Sequence, residues 1–152
     1  MGKINIGRVI LGGIVAGIVG NVLGYLVDGM MLSSQWADVM KAMNKPEFTV
    51  QQLVAFEIVG LAYGILTVWL YAAMRSRFGA GPKTAIYAGL AAWAIGGLLP
   101  NVAFLSIMGL APMGLTVATT AGAILESVIA ALAGAALYKE SAESGQTMAA
   151  RA

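Results

Sequence analysis

Cysteine and histidine are both absent from the 152 residues of this chain. Their absence excludes disulfides, thiolate nucleophiles, imidazole bases, histidine-ligated haem and zinc sites built from nitrogen and sulfur ligands. An enzyme would have to rely on carboxylates, hydroxyls and tyrosine. Since the sequence also contains no catalytic motif, we predict a protein that is not an enzyme, with no catalytic residue, no metal site and no cofactor.

Charged residues are scarce as well. They make up 11% of the chain, whereas hydrophobic residues make up 59%, a balance far outside the range of ordinary soluble proteins. A hydrocarbon core of about 30 Å requires roughly 20 apolar residues per helix. Four stretches reach that length, at about 8–28, 50–75, 84–109 and 113–139. The sequence therefore predicts an all-α integral membrane four-helix bundle, formed as one domain by residues 1–140 and followed by a polar C-terminal tail at 141–152.

Positive charge is concentrated at one end of the predicted bundle. On the side of both termini lie Lys3, Arg8, Arg75, Arg77, Lys83, Lys139 and Arg151, and on the other side only Lys41 and Lys45. Because lysine and arginine resist translocation, this asymmetry predicts cytoplasmic termini. The cations border the membrane and form no dense tract, so we expect the lipid bilayer as a partner and no nucleic acid.

The loop after the first helix has the pattern of a short amphipathic helix. Four apolar side chains fall on one helical face: Trp36, Val39, Met40 and Met43. A tryptophan and methionine face of this kind is typical of a helix that lies in the headgroup region of a membrane. Thr49 and Gln52 then have the spacing of a capping box and are expected to begin the second membrane helix.

Small residues form stripes along the predicted membrane helices. In the first helix the stripe contains Gly13, Gly17, Gly20 and Gly24, and in the second helix it contains Gly60 and Gly64. Glycine stripes allow two helix backbones to approach closely, so that van der Waals contact drives association. These faces predict tight helix packing and would also suit contact surfaces between chains.

Five polar side chains interrupt the apolar helices, and we name them as candidate ligand-binding or proton- and cation-relay residues: Asn21, Tyr25, Glu57, Asn101 and Glu126. Each half of the chain has an asparagine on its first helix and a glutamate on its second. Helix geometry places Asn21 and Glu57 at a similar depth. Asp28, in contrast, is expected where the first helix reaches water, with no further role.

Two interpretations of the glutamates remain open. A carboxylate in hydrocarbon must be protonated, paired with a donor or exposed to a wet cavity, and no membrane helix offers a lysine or arginine within its apolar stretch. Together with the asparagine oxygens, Glu57 and Glu126 would suit a hard cation such as Na⁺ or Ca²⁺, or a proton relay. Alternatively, each glutamate is a hydrogen-bonding group that fixes helix register.

Pro100 follows Gly96 and Gly97 in the third predicted helix. Proline removes a backbone hydrogen bond and is expected to kink the helix just before Asn101. Interrupted helices of this kind mark binding sites in some carriers, although proline is also ordinary in membrane helices.

Several features together resemble small four-helix bacterial inner-membrane proteins of uncharacterised function. They are "SSQW" after the first helix, the cationic turn "RSRFGAGPK", the "GLAPMG" break and the final "ALYKE". The resemblance implies the same topology and a multi-pass location in the bacterial inner membrane. It implies no activity and no site residue.

Three functional classes remain open from the sequence. The first is a non-enzymatic homo-oligomer or accessory subunit of a membrane complex. The second is a proton- or cation-coupled carrier or channel for a small solute that uses Glu57 and Glu126. The third is a protein that binds a lipid, quinone or pigment between its helices.

Overall fold

The computed structural model describes residues 4–46 and 48–140, and these residues contain helices and no strand. The helices are α1 (Ile6–Gly24), α2 (Ser33–Ala42), α3 (Val50–Phe78), α4 (Pro82–Trp93) and α5 (Met113–Leu137). Wider π-helical segments extend two of them: Tyr25–Met31 continues α1, and Ala94–Leu98 and Asn101–Ile107 continue α4. The predicted tail at 141–152 lies outside the described residues, as do Lys3 and Glu47.

Four of the resulting helices are long and apolar enough to cross a membrane: Ile6–Met31, Val50–Phe78, Pro82–Ile107 and Met113–Leu137. The prediction of an all-helical chain with four membrane-compatible helices is therefore confirmed. The ends of these helices lie within a helical turn of the positions expected from the sequence. The cytoplasmic side of the termini and the interfacial position of α2 stay predictions.

Local sequence signals explain where α3 begins and ends. Thr49 and Gln52 form the predicted capping box, in which each side chain binds the other residue's backbone N–H. At the other end, Gly79 adopts a φ of 83°, a left-handed conformation that glycine accepts without strain. These two signals confine the helix to the apolar stretch between them.

The four long helices form a ring in the order α1, α3, α4, α5. Each contacts its two neighbours in the ring, and α3 also contacts α5 across it. The N–H of Asn5 donates to the Tyr138 hydroxyl (3.3 Å), which brings the two ends of the described chain together. We call this the terminal end of the bundle and the opposite end, where α2 lies, the loop end.

Helix α1 uses two different faces to pack against α3 and α5. Gly13 and Gly17 lie against the α3 backbone at Ile65 and Leu61, whereas a methyl group on Gly20 would lie 3.8 Å from Ala130 of α5. The single glycine stripe expected from the sequence is thus divided between two neighbours. Since Gly13 and Gly17 are buried, this face is already occupied within one chain.

Pro100 separates the two π-helical segments of the third long helix and itself keeps helical angles, φ −62° and ψ −42°. Proline has no N–H and its ring displaces the carbonyl four residues earlier, so the regular α-helical ladder is interrupted here. The structure accommodates this interruption by widening the helix on both sides of Pro100. None of the residues in either π-helical segment is buried.

Candidate functional site

Glu57 points away from the interior of the bundle. Its side chain is exposed and lines a surface groove of about 380 Å³ between α1 and α3. The same groove is lined by Ile18, Asn21, Val22, Tyr25, Leu26 and Leu61. Within the described part of the chain, the Glu57 carboxylate has neither an ion-pair partner nor a hydrogen-bond donor.

Asn21 meets Glu57 through the backbone and not through the carboxylate. Its Nδ2 donates to the Glu57 carbonyl oxygen at 2.9 Å. The Asn21 amide lies directly over Gly60, so closely that a methyl group on Gly60 would overlap it. This contact joins α1 to α3 and forms the floor of the groove.

Glu126 lies in the seam between α1 and α5, beside the face of α1 that carries Asn21, because Gly24 is three residues from Asn21. A methyl group placed on Gly24 would lie 3.4 Å from the Glu126 Oε2 atom, and one on Gly122 would lie 3.7 Å from Oε1. The Oε1 atom is buried and has no hydrogen-bond partner among the described residues. Glycines on both helices therefore make the room that this side chain occupies.

Two further polar side chains lie near Glu126. Asp28, at the loop end of the first long helix, and Tyr63 of α3 are both close enough to interact electrostatically with it, and Ser127 lies beside the Tyr63 hydroxyl. Among the described residues no three acidic, cysteine or histidine side chains come together as a metal-binding group. The cluster is therefore one half-buried carboxyl, with its Oε1 atom buried, and a second carboxyl nearby.

Glu57 and Glu126 occupy similar depths but different surroundings. Asn21 of α1 faces Glu57 and Gly60, and Gly24, one turn further along, faces Glu126. One glutamate lies in the open groove beside α3, whereas the other lies in the closed seam beside α5. The contacts of the described residues do not bring the two carboxyls together.

The polar residues of the second half form a separate group between α4 and α5. Asn101 Nδ2 donates to Thr120 Oγ1, and Trp93 Nε1 donates to the Thr120 carbonyl oxygen, both at 2.9 Å. Thr120 thus holds the loop-end half of the third long helix against α5. The sequence gives no signal for this role of Thr120, since an isolated threonine in a membrane helix is ordinary.

Helix α2 is attached to the bundle by its tryptophan. Trp36 Nε1 donates to Asp28 Oδ1 at 3.0 Å, and Val39 on the same face is buried. Met40 is half-buried, whereas Met43 is exposed and lies just beyond the helix. Asp28, for which the sequence predicted no role, therefore links α2 to the seam that contains Glu126.

Comparison with known protein families, curated proteins and solved structures finds no match to this chain.

Proposed function

We propose that this chain is a non-enzymatic integral membrane protein that acts by associating with other membrane proteins, as a homo-oligomer or as an accessory subunit. The packing of α1 supports a role for the outer surface of the bundle. A methyl group on Gly12, Gly17 or Gly64 would overlap the backbone of a neighbouring helix. Seams this tight leave no space for a solute to pass along α1.

The observation that carries the proposal is the exposure of the loop-end half of the third long helix. Neither of its π-helical segments contains a buried residue, and the side-chain hydrogen bonds that join this half to α5 in the described structure are those of Trp93 and Asn101 to Thr120. π-Helical segments recur at functional sites. A membrane helix that shares so little of its surface with its own bundle is available to a second chain.

A groove of about 290 Å³ runs between this helix half and α5. Large apolar side chains such as Val102 and Val117 form its walls, and Ser106 and Ala121 are small residues along it. Small residues beside larger ones allow a transmembrane helix to approach closely, and a hydroxyl adds an interhelical hydrogen bond. We therefore place the contact with the partner in this groove.

Photo-crosslinking in native membranes tests the location. A photoreactive amino acid at position 102 or 117 lies in the groove, whereas one at position 59 lies on the exposed face of α3 and serves as the matched control. We expect protein adducts from positions 102 and 117 and none from position 59. Equal adducts at all three positions, or adducts only at 59, would contradict the placement.

A second candidate function, ion or proton transport, is supported by the environment of Glu126. The buried Glu126 Oε1 atom lacks a partner among the described residues, and an intramembrane ionisable group is a functional-site hypothesis by default. In this alternative the chain is a proton- or cation-coupled carrier or channel, with Glu126 as the relay. The tight seams of a single bundle favour the association proposal over it.

Reconstituted vesicles distinguish the two candidates. If the chain is a carrier, Glu126→Gln abolishes proton or Na⁺ flux while the protein remains folded, and Asp38→Asn on the exposed face of α2 leaves flux unchanged. The association proposal expects no flux above that of protein-free vesicles for any of the three proteins.

We also propose the membrane in which the protein lies and its orientation there. Seven of the nine lysines and arginines belong to the terminal end or to the segments adjoining it. This asymmetry supports cytoplasmic termini, with α2 on the outer side of the membrane. The bacterial inner membrane is proposed from the resemblance of the sequence alone.

A further inference from the structure

We propose that the groove between α1 and α3 binds a membrane lipid with a primary ammonium headgroup, such as an ethanolamine phospholipid. This inference concerns a different surface from the α4–α5 groove and does not depend on the association proposed there. It starts from Glu57, an exposed carboxylate in a membrane-compatible helix. A charged group in that setting requires a partner or access to water.

The groove changes character along its length. Since α1 and α3 run in opposite directions, Tyr25 and Glu57 lie toward its loop end, and Ile18 and Leu61 lie toward the middle of the bundle. Asn21 lies between these two pairs. The polar groups of the groove therefore lie in its loop-end half, beside the apolar Leu26, and its other half is apolar, the same order as the headgroup and acyl chain of a lipid in that leaflet.

The depth of Glu57 fits the headgroup region. Arg75 marks the terminal end of α3, and Glu57 lies about 27 Å from it along the helix at 1.5 Å per residue, close to a hydrocarbon thickness of about 30 Å. Helical side chains also lean toward the N-terminus, which for α3 is the loop end. Seven residues of α3 lie between Glu57 and the loop end of the helix, about 10 Å at 1.5 Å per residue, so the Glu57 carboxylate lies just below that end and a headgroup reaches it through the groove.

The donors and acceptors select the class of headgroup. Glu57, Asn21 and Tyr25 bring a carboxylate, an amide and a phenol to the groove, and the two described residues that could add positive charge, Lys41 and Lys45, are outside its lining. A primary ammonium has three N–H donors for such oxygens. A choline headgroup has no N–H donor and would bind through its charge alone, to the Glu57 carboxylate and the Tyr25 ring.

A second copy of this chain is a poorer occupant of the same groove. In a two-fold dimer through this surface, the same patch lies on both sides of the interface, so two Glu57 carboxylates would be enclosed together and the lining residues supply no cation between them. Like charges brought together in this way repel each other. Charge complementarity therefore favours an ammonium lipid.

Native mass spectrometry of the purified protein in defined lipid tests the proposal. The protein is incorporated into two kinds of phosphatidylcholine nanodisc, which contain the same minor fraction of either phosphatidylethanolamine or phosphatidylglycerol. The lipids that stay bound to the released protein are then counted. We expect retention of phosphatidylethanolamine by the wild type, reduced about 10- to 100-fold in Glu57→Gln, the range for losing a charged hydrogen bond. Asp38→Asn, an exposed carboxylate at the same end, is the matched control and should retain it.

Two further experiments test which parts of the lipid the groove binds. Tyr25→Phe should reduce phosphatidylethanolamine retention several-fold if the phenol oxygen accepts a hydrogen bond. Soluble phosphoethanolamine should fail to displace the lipid, because it cannot occupy the apolar half of the groove. Thermal unfolding of each variant establishes that it is folded before its lipids are counted.

Several results would overturn the proposal. One is that the wild type retains choline and ethanolamine lipids equally, and another is that folded Glu57→Gln keeps the full preference for ethanolamine lipids. A third is that soluble phosphoethanolamine displaces the lipid completely. Finally, a photoreactive residue at position 22 that cross-links to a protein, and not to a lipid, in native membranes would identify the groove as a protein contact.

Discussion

Asn21 and Gly60 form one contact unit across the seam between α1 and α3. The asparagine amide donates to the Glu57 carbonyl at 2.9 Å, and it fits only because position 60 has no side chain. A hydrogen bond between membrane helices contributes about 0.6–2 kcal/mol. At the residue scale, this pair fixes the register of the two helices.

A double-mutant cycle tests the pair. Gly60→Ala inserts a methyl group against the Asn21 amide, and overpacking of this kind costs about 1–3 kcal/mol. We expect Gly60→Ala to be clearly destabilising alone and much less so in an Asn21→Ala background, measured by thermal unfolding in detergent. Gly114→Ala, where a methyl group meets open space, is the control. Additive effects of the two substitutions would contradict the contact.

The hydrogen bond between Trp36 and Asp28 attaches α2 to the loop end of the bundle. Trp36→Phe keeps an aromatic ring but removes the Nε1 donor that binds Asp28 Oδ1. We expect faster backbone hydrogen exchange across Ser33–Ala42 in this variant, with exchange in Val50–Phe78 unchanged. Exchange in α2 equal to that of the wild type would show that burial of Val39 is sufficient to hold the helix.

At the scale of elements, α1 has two packing faces that tolerate substitution differently. Gly17 lies against the α3 backbone with no space for a methyl group, whereas a methyl group on Gly20 would make ordinary contact with Ala130 of α5. The two glycines are less than one helical turn apart on the same helix. They therefore form a matched pair of sites.

We expect Gly17→Ala to lower the free energy of unfolding by about 1–3 kcal/mol, the usual cost of overpacking. Gly20→Ala should leave it unchanged or raise it by up to about 1 kcal/mol, because alanine is the better helix former. The measurement is the midpoint of unfolding in a denaturing detergent series. If both substitutions have the same effect, the assignment of these glycines to two different seams is wrong.

The sequence could predict the helices but not the division of their faces. Gly13, Gly17, Gly20 and Gly24 form one continuous stripe on a helical projection, and only the positions of α3 and α5 separate it into two seams. The Thr49 capping box was predictable because it depends on residues three apart. The expected site residues Asn21 and Asn101 lie in different contacts, since each depends on a partner far away in the chain.

Pro100 illustrates the same limit within one helix. Its missing N–H predicts an interruption of the helical ladder. The sequence does not show that the interruption takes the form of two π-helical segments, the first of which has Gly96 against Tyr63 of α3. No local pattern contains that contact.

For the whole molecule, charge is polarised along the bundle axis. Among the described residues, the acidic Asp28, Asp38 and Glu57 belong to the loop-end half and Glu126 lies near the middle of α5, whereas the other half carries the cations Arg8, Arg75, Arg77, Lys83 and Lys139. Charge of this kind fixes orientation during insertion, because cations remain on the cytoplasmic side. It also makes the loop-end surface favourable for cationic groups.

Cysteine labelling tests the orientation directly, since the chain has no cysteine of its own. We expect Asn44→Cys, in the loop after α2, to react with a membrane-impermeant maleimide in intact cells. Ala80→Cys, in the turn between α3 and α4, should react only after the membrane is permeabilised. The opposite pattern would reverse the proposed topology, and reaction of both positions in intact cells would contradict the membrane bundle.

The proposed contact of this bundle with another membrane protein lies in the groove between α4 and α5. Native mass spectrometry of the protein extracted gently from its own membrane tests this contact, with Ala121→Trp to fill the groove and Ala62→Trp as the matched control on the exposed face of α3. We expect a reproducible protein partner, or a defined oligomer, for the wild type and Ala62→Trp, and its loss in Ala121→Trp. A monomer in all three preparations, or an assembly that survives Ala121→Trp, would contradict it.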